Sequence, residues 1–286
     1  MTGNLTVAGL LAEGVRQLRA SPSGTEPAAT ADLDAQLLLA HVLAVPRTRL
    51  KSHPEDLPDP SRTQHYRHLL ARRAAGEPLA YLTGSRDFWS LRLRVTPAVL
   101  IPRPETELLV ERALALRSAA DGRVADLGTG CGAVALALAS ERPRWHVVAT
   151  DACAEALAVA RANAAALRLS RVELRHGDWY QPLLGERFDL LVSNPPYVAQ
   201  DDPALATSSL SHEPPRALTP GLDALSCLRT LVRGAPRHLA PEGWLLLEHG
   251  ATQGADVRRE LVDAGFSHVR SHRDLAGHER MTEGQR

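Results

Sequence analysis

The stretch Val124-Ala125-Asp126-Leu127-Gly128-Thr129-Gly130-Cys131-Gly132 constrains this chain more than any other. It reads as a buried strand running into a glycine-rich turn, and Ala133 to Ser140 then continue as a helix. Glycines let the backbone turn sharply and let a ligand lie against bare main chain. From residue 123 onward short apolar runs alternate with helical patterns. The expected strands are Arg123 to Leu127, His146 to Thr150, Val172 to Arg175, Phe188 to Ser193 and Trp244 to Glu248. Helices such as Ala154 to Leu167 and Ala251 to Ala264 fall between them. The pattern predicts an α/β fold, a doubly wound Rossmann-like sheet.

Such sheets bind ligands outside the carboxyl ends of their strands. Asp151 ends the strand after the glycine turn, 23 residues beyond Gly128. That is close to the offset of about 20 at which an acidic residue meets the hydroxyl pair of a ribose. A nucleoside-containing cofactor is expected. Gly128, Gly130 and Ala133 also satisfy the relaxed dinucleotide pattern G-x-G-x-x-G/A, so these residues alone leave the cofactor class open.

The first part of the chain reads differently. Leu5, Leu10, Leu11, Val15 and Leu18 recur at helical spacing until Ser21-Pro22-Ser23-Gly24, and a leucine-rich helix follows from about Ala31 to Ala44. A further helix is expected to begin at Ser61, where Ser61 and Gln64 form a capping-box pattern and Tyr66, Leu69 and Leu70 supply an apolar stripe. After Gly84, Leu91, Leu93 and Val95 alternate with polar residues, as in a strand or hairpin, and Pro104 opens a helix with Glu105 and Glu107 in its first turn. The expected organisation is a small all-helical domain over residues 1–85, a linker with a hairpin over 86–103, and the α/β domain over 104–286.

Composition narrows the function. The 286 residues carry 33 basic and 33 acidic side chains, and residues 1–85 hold nine basic against eight acidic. Direct nucleic-acid binding usually needs a basic surface, so none is expected. Cys131, Cys153 and Cys227 fit no metal-knuckle or disulfide pattern, and His, Cys and carboxylates are not clustered as metal ligands. The first nineteen residues lack a signal-peptide pattern and no run of about 18 apolar residues occurs, so a cytoplasmic chain without a membrane span is expected.

The strand Phe188 to Ser193 ends directly in Asn194-Pro195-Pro196-Tyr197. Two prolines remove two backbone donors and stiffen the loop, so its carbonyls are left to accept hydrogen bonds from something else. Asn194 adds a side-chain carbonyl and Tyr197 an aromatic wall, which makes a pocket for a planar NH2 group.

The glycine turn combined with Asn194-Pro195-Pro196-Tyr197 resembles a class I S-adenosylmethionine-dependent methyltransferase of the amino-methylating kind. Further runs are similar to the bacterial release-factor glutamine methyltransferase (HemK/PrmC) family. They are Gly76-Glu77-Pro78-Leu79-Ala80-Tyr81-Leu82-Thr83-Gly84, Phe88-Trp89, Ile101-Pro102-Arg103-Pro104-Glu105-Thr106-Glu107, Glu213-Pro214 with Ala217-Leu218, Trp244-Leu245-Leu246-Leu247-Glu248-His249-Gly250, and Asp274-Leu275-Ala276-Gly277. The resemblance covers nearly the whole chain. It implies a helical N-terminal domain that docks the protein substrate and a C-terminal domain that uses S-adenosylmethionine and releases S-adenosylhomocysteine. The implied substrate is the glutamine of the Gly-Gly-Gln loop in class 1 peptide chain release factors, and the implied state is a monomer. Carried over by position, Gly128, Thr129, Gly130, Cys131 and Gly132 line the cofactor, Asp151 holds its ribose, Trp179 contacts adenine and Asp178 partners the adenine amino group. Asn194, Pro195, Pro196 and Tyr197 receive the glutamine, Asn194 also lying near the cofactor.

The chain departs from the family at Pro220 and Ala224, where glycines are usual, which puts the local loop shape in question. Tyr66, Arg67 and Arg72 are the candidates for contact with the partner. No general base is evident; His212 and His249 are candidates only because histidine titrates near neutrality. Rival readings are an adenine-N6 DNA methyltransferase, which would need a basic groove for a flipped base, and a ribosomal-protein glutamine methyltransferase. A nicotinamide-dependent oxidoreductase would share the glycine turn and Asp151 but gives Asn194 to Tyr197 no role.

Overall fold

The computed structural model describes residues 5–22, 26–206 and 210–286. They divide into two compact units, the first ending at Gly84 with a short return segment ending at His212, the second comprising Ser85–Leu205 and Glu213–Arg286.

The first unit is helical: α1 (Val7–Arg19), α2 (Glu26–Ala29), α3 (Ala31–Leu43), α4 (Arg47–Ser52), α5 (Pro60–Ala74) and α6 (Leu79–Thr83). Ser23 and Gly24 of the expected stop after α1 lie outside the described residues. Leu10, Leu18, Leu38, Leu39 and Leu70 interdigitate with Tyr66 in the core. Inside that core Arg73, 1% exposed, donates to Asp34 at 2.7 Å, and Asp34 also accepts from Thr30. A buried charge is tolerated only when paired in this way.

Two expectations for this unit are corrected. The cap of α5 is Asp59, which accepts from the Arg62 amide at 2.9 Å, while Pro60 takes the first helical position, where a missing N–H costs nothing. Ser61 therefore lies inside the helix and donates its hydroxyl to Asp59. Tyr66 is fully buried with its hydroxyl donating to the Ala35 carbonyl at 3.3 Å, so it is a core residue and presents nothing to a partner. Arg67 and Arg72 are on the surface, each forked onto a carboxylate, Glu13 and Glu77 respectively.

The second unit opens with the hairpin β1 (Ser85–Phe88) and β2 (Leu91–Arg94). Its two-residue turn puts Trp89 at φ 54°, a left-handed conformation rare outside glycine. Two carboxylates compensate, Glu107 accepting the Trp89 amide and Glu141 the indole N–H, each at 2.7 Å. A 3-10 turn at Pro104–Thr106 then runs into α7 (Glu107–Leu116). The remaining elements are β3 (Arg123–Leu127), α8 (Ala133–Glu141), β4 (His146–Asp151), α9 (Ala154–Ala166), β5 (Glu173–His176), β6 (Phe188–Ser193), α10 (Pro215–Leu218), α11 (Ser226–His238), β7 (Leu239–Glu248), α12 (Gly254–Asp263), β8 (Ser267–Arg273) and β9 (Glu279–Gln285).

The sheet has the order β5-β4-β3-β6-β7-β9-β8, parallel from β5 to β7, with β9 inserted antiparallel between β7 and β8. The chain leaves β3 toward one edge and later leaves β6 toward the other. The loops after these two neighbouring strands diverge and open a crevice at the switch point. The doubly wound sheet read from the sequence is present, and β8 and β9 extend it. Strand β7 begins five residues before the expected Trp244, at Leu239, where Pro241 and Gly243 mask the strand pattern. Among the described residues no helix is long and apolar enough to cross a membrane, and no group of His, Cys, Asp or Glu is placed to hold a metal ion.

Candidate active site

Three glycines shape the turn after β3: Gly128, Gly130 and Gly132 have φ of 77°, 56° and 88°. A side chain at each would be strained by conformation alone. The amides of Gly128 and Thr129 both donate to the Thr150 carbonyl at 2.9 Å, which ties the turn to the end of β4. Asp126 clamps it from beneath, accepting from the Thr129 hydroxyl at 2.6 Å and from the Ala135 amide at 3.1 Å. Burial pushes the Asp126 carboxyl up to about 6 against the pull of those two donors. Beside it, burial pushes the Cys131 thiol up to about 12, so this cysteine is an inert wall.

Asp151 sits at the mouth. Its Oδ2 accepts from the Gly130 amide and its Oδ1 from the Cys153 amide, both at 2.8 Å, so the carboxylate is locked and each oxygen keeps acceptor capacity. Trp179 (φ 43°) is held by its carbonyl, which accepts from the Thr150 hydroxyl at 3.0 Å. Its ring closes on Gly128, where a Cβ would stand 3.1 Å from the ring carbon Cζ3. A Cβ on Gly130 would meet nothing within 4 Å.

These parts border a cavity of about 400 Å³, whose lining includes Asp151, Asp178, Trp179, Asn194, Pro196 and Cys227. That volume suits a small-molecule ligand. Thr129, Gly130 and Cys131 also line it, whereas Gly132, Pro195 and Tyr197 do not. Gly132 instead caps α8, where a Cβ would press on Leu136 at 3.0 Å.

The Asn194 turn is tied to β3 through Ser193, whose hydroxyl donates to the Leu127 carbonyl at 2.6 Å. Asn194 Nδ2 donates to the Thr106 hydroxyl at 3.1 Å, leaving Oδ1 as the acceptor at the cavity wall. Tyr197 turns inward and donates to Glu248 Oε1 at 3.2 Å. Glu248 is 2% exposed, and its Oε2 has no partner of regular geometry. Burial pushes this carboxyl up to about 7; the Thr106 and Tyr197 hydroxyls pull it down, Glu105 pushes it up and Arg280 opposes.

The opposite wall is fixed by a long-range pair. Buried Glu213 accepts from the Ile101 amide at 2.9 Å and from the Arg103 guanidinium, holding the segment from Ala98 to Pro102 over the cavity. The loop whose shape was in question uses Gly221 (φ 108°) as its left-handed residue, so Pro220 is accommodated and lines the cavity. Thr106, Glu213 and Glu248 lay within quoted motifs without an assigned role. His249, buried with Nε2 on the Thr282 hydroxyl at 2.8 Å and Nδ1 on the Gly250 carbonyl at 2.9 Å, is a structural histidine.

A sheet of this order, with a glycine turn after β3, an acid ending β4 and an acceptor turn after β6, defines a class I methyltransferase. The methyltransferase small domain family matches residues 104–221, and the PrmC N-terminal domain family matches residues 10–84. Over 254 residues the chain is 51% identical to the release factor glutamine methyltransferase of Xylella fastidiosa (strain Temecula1), covering 88% of this chain and 92% of that protein. The corresponding protein of Pseudomonas aeruginosa is 49% identical over 269 residues, covering 94% and 95%. The chain belongs to the release factor glutamine methyltransferase family. Among solved structures, a methyltransferase from Pyrococcus furiosus shares the fold with a TM-score of 0.52 at 19% identity, over 75% of this chain and 96% of that one.

Proposed function

We propose that this protein transfers a methyl group from S-adenosylmethionine to the side-chain amide nitrogen of the glutamine in the Gly-Gly-Gln loop of class 1 peptide chain release factors, in the cytoplasm. The observation that carries the reading is Asn194: its Nδ2 is taken by Thr106, so Oδ1 is the free acceptor on the cavity bordered by Gly128, Gly130 and Asp151. An acceptor there suits an NH2 group.

The donor set fits S-adenosylmethionine. Asp151 has spare acceptor capacity for a ribose diol, the open position at Gly130 admits a ligand against bare backbone, and Trp179 with Asp178 offers a flat face and a carboxylate to adenine. When bound, the cofactor supplies a sulfonium methyl, a strong electrophile that needs only in-line approach. An amide nitrogen is a poor nucleophile because its lone pair is delocalised, so positioning carries much of the rate. Asn194 Oδ1 accepts an amide hydrogen and Pro196 borders the glutamine plane, while Pro195 and Tyr197, which do not line the cavity, stiffen and back the turn. As the nitrogen gains positive charge, the fixed Asn194 acceptor binds it better than it binds the neutral amide. Once alkylated, the nitrogen is acidic and loses its proton to water, so the turn needs no base. The helical unit serves as the docking module for the release factor.

Mass spectrometry of a purified class 1 release factor incubated with this protein and S-adenosylmethionine tests the reading, with adenine-containing DNA in parallel. One added methyl on the Gly-Gly-Gln glutamine, lost with Asn194→Ala, is the expected result. Methylated adenine with an unchanged release factor overturns the substrate.

A further inference from the structure

Three stretches of chain border the cavity on the side of the acceptor turn, residues 194–198, 101–106 and 213–218. They line it through Asn194 and Pro196, Pro102 and Thr106, and Arg216 and Ala217 respectively. Each stretch holds two prolines: Pro195 and Pro196, Pro102 and Pro104, Pro214 and Pro215. Every one of these fixes a φ angle, so the stretches are stiff and are placed by the points at which they are joined.

Three joints close the stretches into a ring. The Val198 amide donates to the Leu218 carbonyl at 3.0 Å. Asn194 Nδ2 donates to the Thr106 hydroxyl at 3.1 Å. The third joint is Glu213, whose Oε2 accepts from the Ile101 amide at 2.9 Å and whose Oε1 takes the Arg103 guanidinium. Thr106 is tied back to this joint, its amide donating to the Arg103 carbonyl at 3.1 Å. Glu213 and Thr106 are both buried, where a hydrogen bond is electrostatically stronger than in water. Asn194 is thus located by two routes, its own chain from β6 and the ring through Thr106. Opening the ring at Glu213 leaves only the first. A buried ion pair adds little to stability over a well-packed apolar contact, so stability alone gives no reason for a carboxylate here. With both oxygens engaged it supplies a fixed distance and direction for the stretch that carries Thr106.

We propose that Glu213 is a positioning residue for methyl transfer, closing a proline-stiffened ring that holds Asn194 Oδ1 where the substrate amide must meet it. The role rests on the substrate reading given above. Glu213 does not line the cavity, so it acts through Ile101, Arg103 and Thr106 rather than on either substrate. Displacing a reacting group by about 1 Å can lower a rate about a hundredfold, so a joint remote from the chemistry is enough to set kcat. The cofactor side is held separately. Buried Asn163 accepts the Arg94 amide at 2.7 Å and donates to the Arg94 and Cys131 carbonyls at 3.0 and 2.8 Å, which anchors the glycine turn without Glu213.

The test uses the full-length protein with a class 1 release factor and radiolabelled S-adenosylmethionine, comparing wild type with Glu213→Gln, Asn194→Ala and the double variant. Glutamine at 213 can still accept from the Ile101 amide, but its NH2 meets the Arg103 guanidinium donor against donor, so the joint opens on one side without leaving a void. The expected result for Glu213→Gln is a fall in kcat of about ten- to a hundredfold, with KM for the release factor and calorimetric affinity for S-adenosylhomocysteine held within about threefold. On the Asn194→Ala background the same change should remove no more than about a further twofold, because the ring acts through Asn194. A residue that merely held the fold would slow both backgrounds alike. Unaltered kcat in Glu213→Gln, a loss confined to KM or to cofactor affinity, or losses that multiply in the double variant overturn the proposal while leaving the substrate reading intact. Absence of methyl transfer by the wild-type protein overturns the substrate reading and this role with it. Should circular dichroism show Glu213→Gln unfolded, Arg103→Ala decides, since it opens the same joint from its half-exposed side. A fall in kcat of about tenfold or more then upholds the role, and wild-type kcat refutes it.

Discussion

Glu248→Gln is expected to stabilise the sheet-bearing unit in neutral and alkaline solution, and to do so less and less as the pH falls. The ordinary value of a glutamate carboxyl is 4.5, and burial carries Glu248 to about 7. Between these values the folded protein holds a proton that the unfolded chain has released. The contribution of this group to stability is therefore full below 4.5 and is lost as pH rises through 7. At about 1.4 kcal/mol for each tenfold in proton affinity, the loss comes to about 3 kcal/mol. Glutamine does not titrate, so the stability of the variant relative to wild type should shift in its favour by about 3 kcal/mol between about pH 4 and about pH 9. Asp126, also raised, titrates in both proteins and cancels in the difference. Urea unfolding followed by tryptophan emission is the assay, because Trp89, Trp145, Trp179 and Trp244 all lie in this unit. A difference that stays constant across the pH range, or moves the other way, would refute the reasoning.

Three further outcomes are expected. Gly128→Ala must adopt φ 77° with its Cβ 3.1 Å from the Trp179 ring, so calorimetry should show S-adenosylhomocysteine binding weakened by about tenfold or more, equivalent to the 1–2 kcal/mol of left-handed strain. Asn194→Ala should lower methyl transfer about a hundred- to a thousandfold, matching the 2.7–4 kcal/mol typical of one fixed polar group at a developing charge, with an unaltered urea midpoint. Asp34→Ala leaves the Arg73 charge buried without its closest partner and should cost about 3–5 kcal/mol, read as an early loss of helical circular dichroism; an unchanged melting profile would contradict the pairing.

Local signals in the sequence carried the central sheet. The apolar run before Gly128, the acid ending β4 and the proline turn after β6 are each complete within a few residues, and the parallel order brings them to one edge. The contacts that tune the site are of another kind. Asn194 meets Thr106 across 88 positions, Tyr197 meets Glu248 across 51, and Ile101 meets Glu213 across 112. No periodicity reports such pairs. Strand β9 escaped notice because Met281 is its one buried large apolar residue: Glu283 is fully buried among Arg112, Arg270 and His272, so charge pairing replaces apolar alternation. Tyr66 was misplaced because an aromatic ring with a polar tip suits a core whenever a carbonyl such as that of Ala35 waits for the hydroxyl.

The open sheet ends in two unpaired strands, and both are charged. At one edge β5 carries Glu173, Arg175 and His176; at the other β8 carries His268, Arg270, His272 and Arg273. Exposed edges are templates on which further chains can add, the first step toward aggregates. Docking two β8 edges would set arginine and histidine against their own kind, and an unrelated hydrophobic strand would have to strip water from them. The polar face that hides β8 from periodicity thus also discourages a further strand from adding at that end of the sheet.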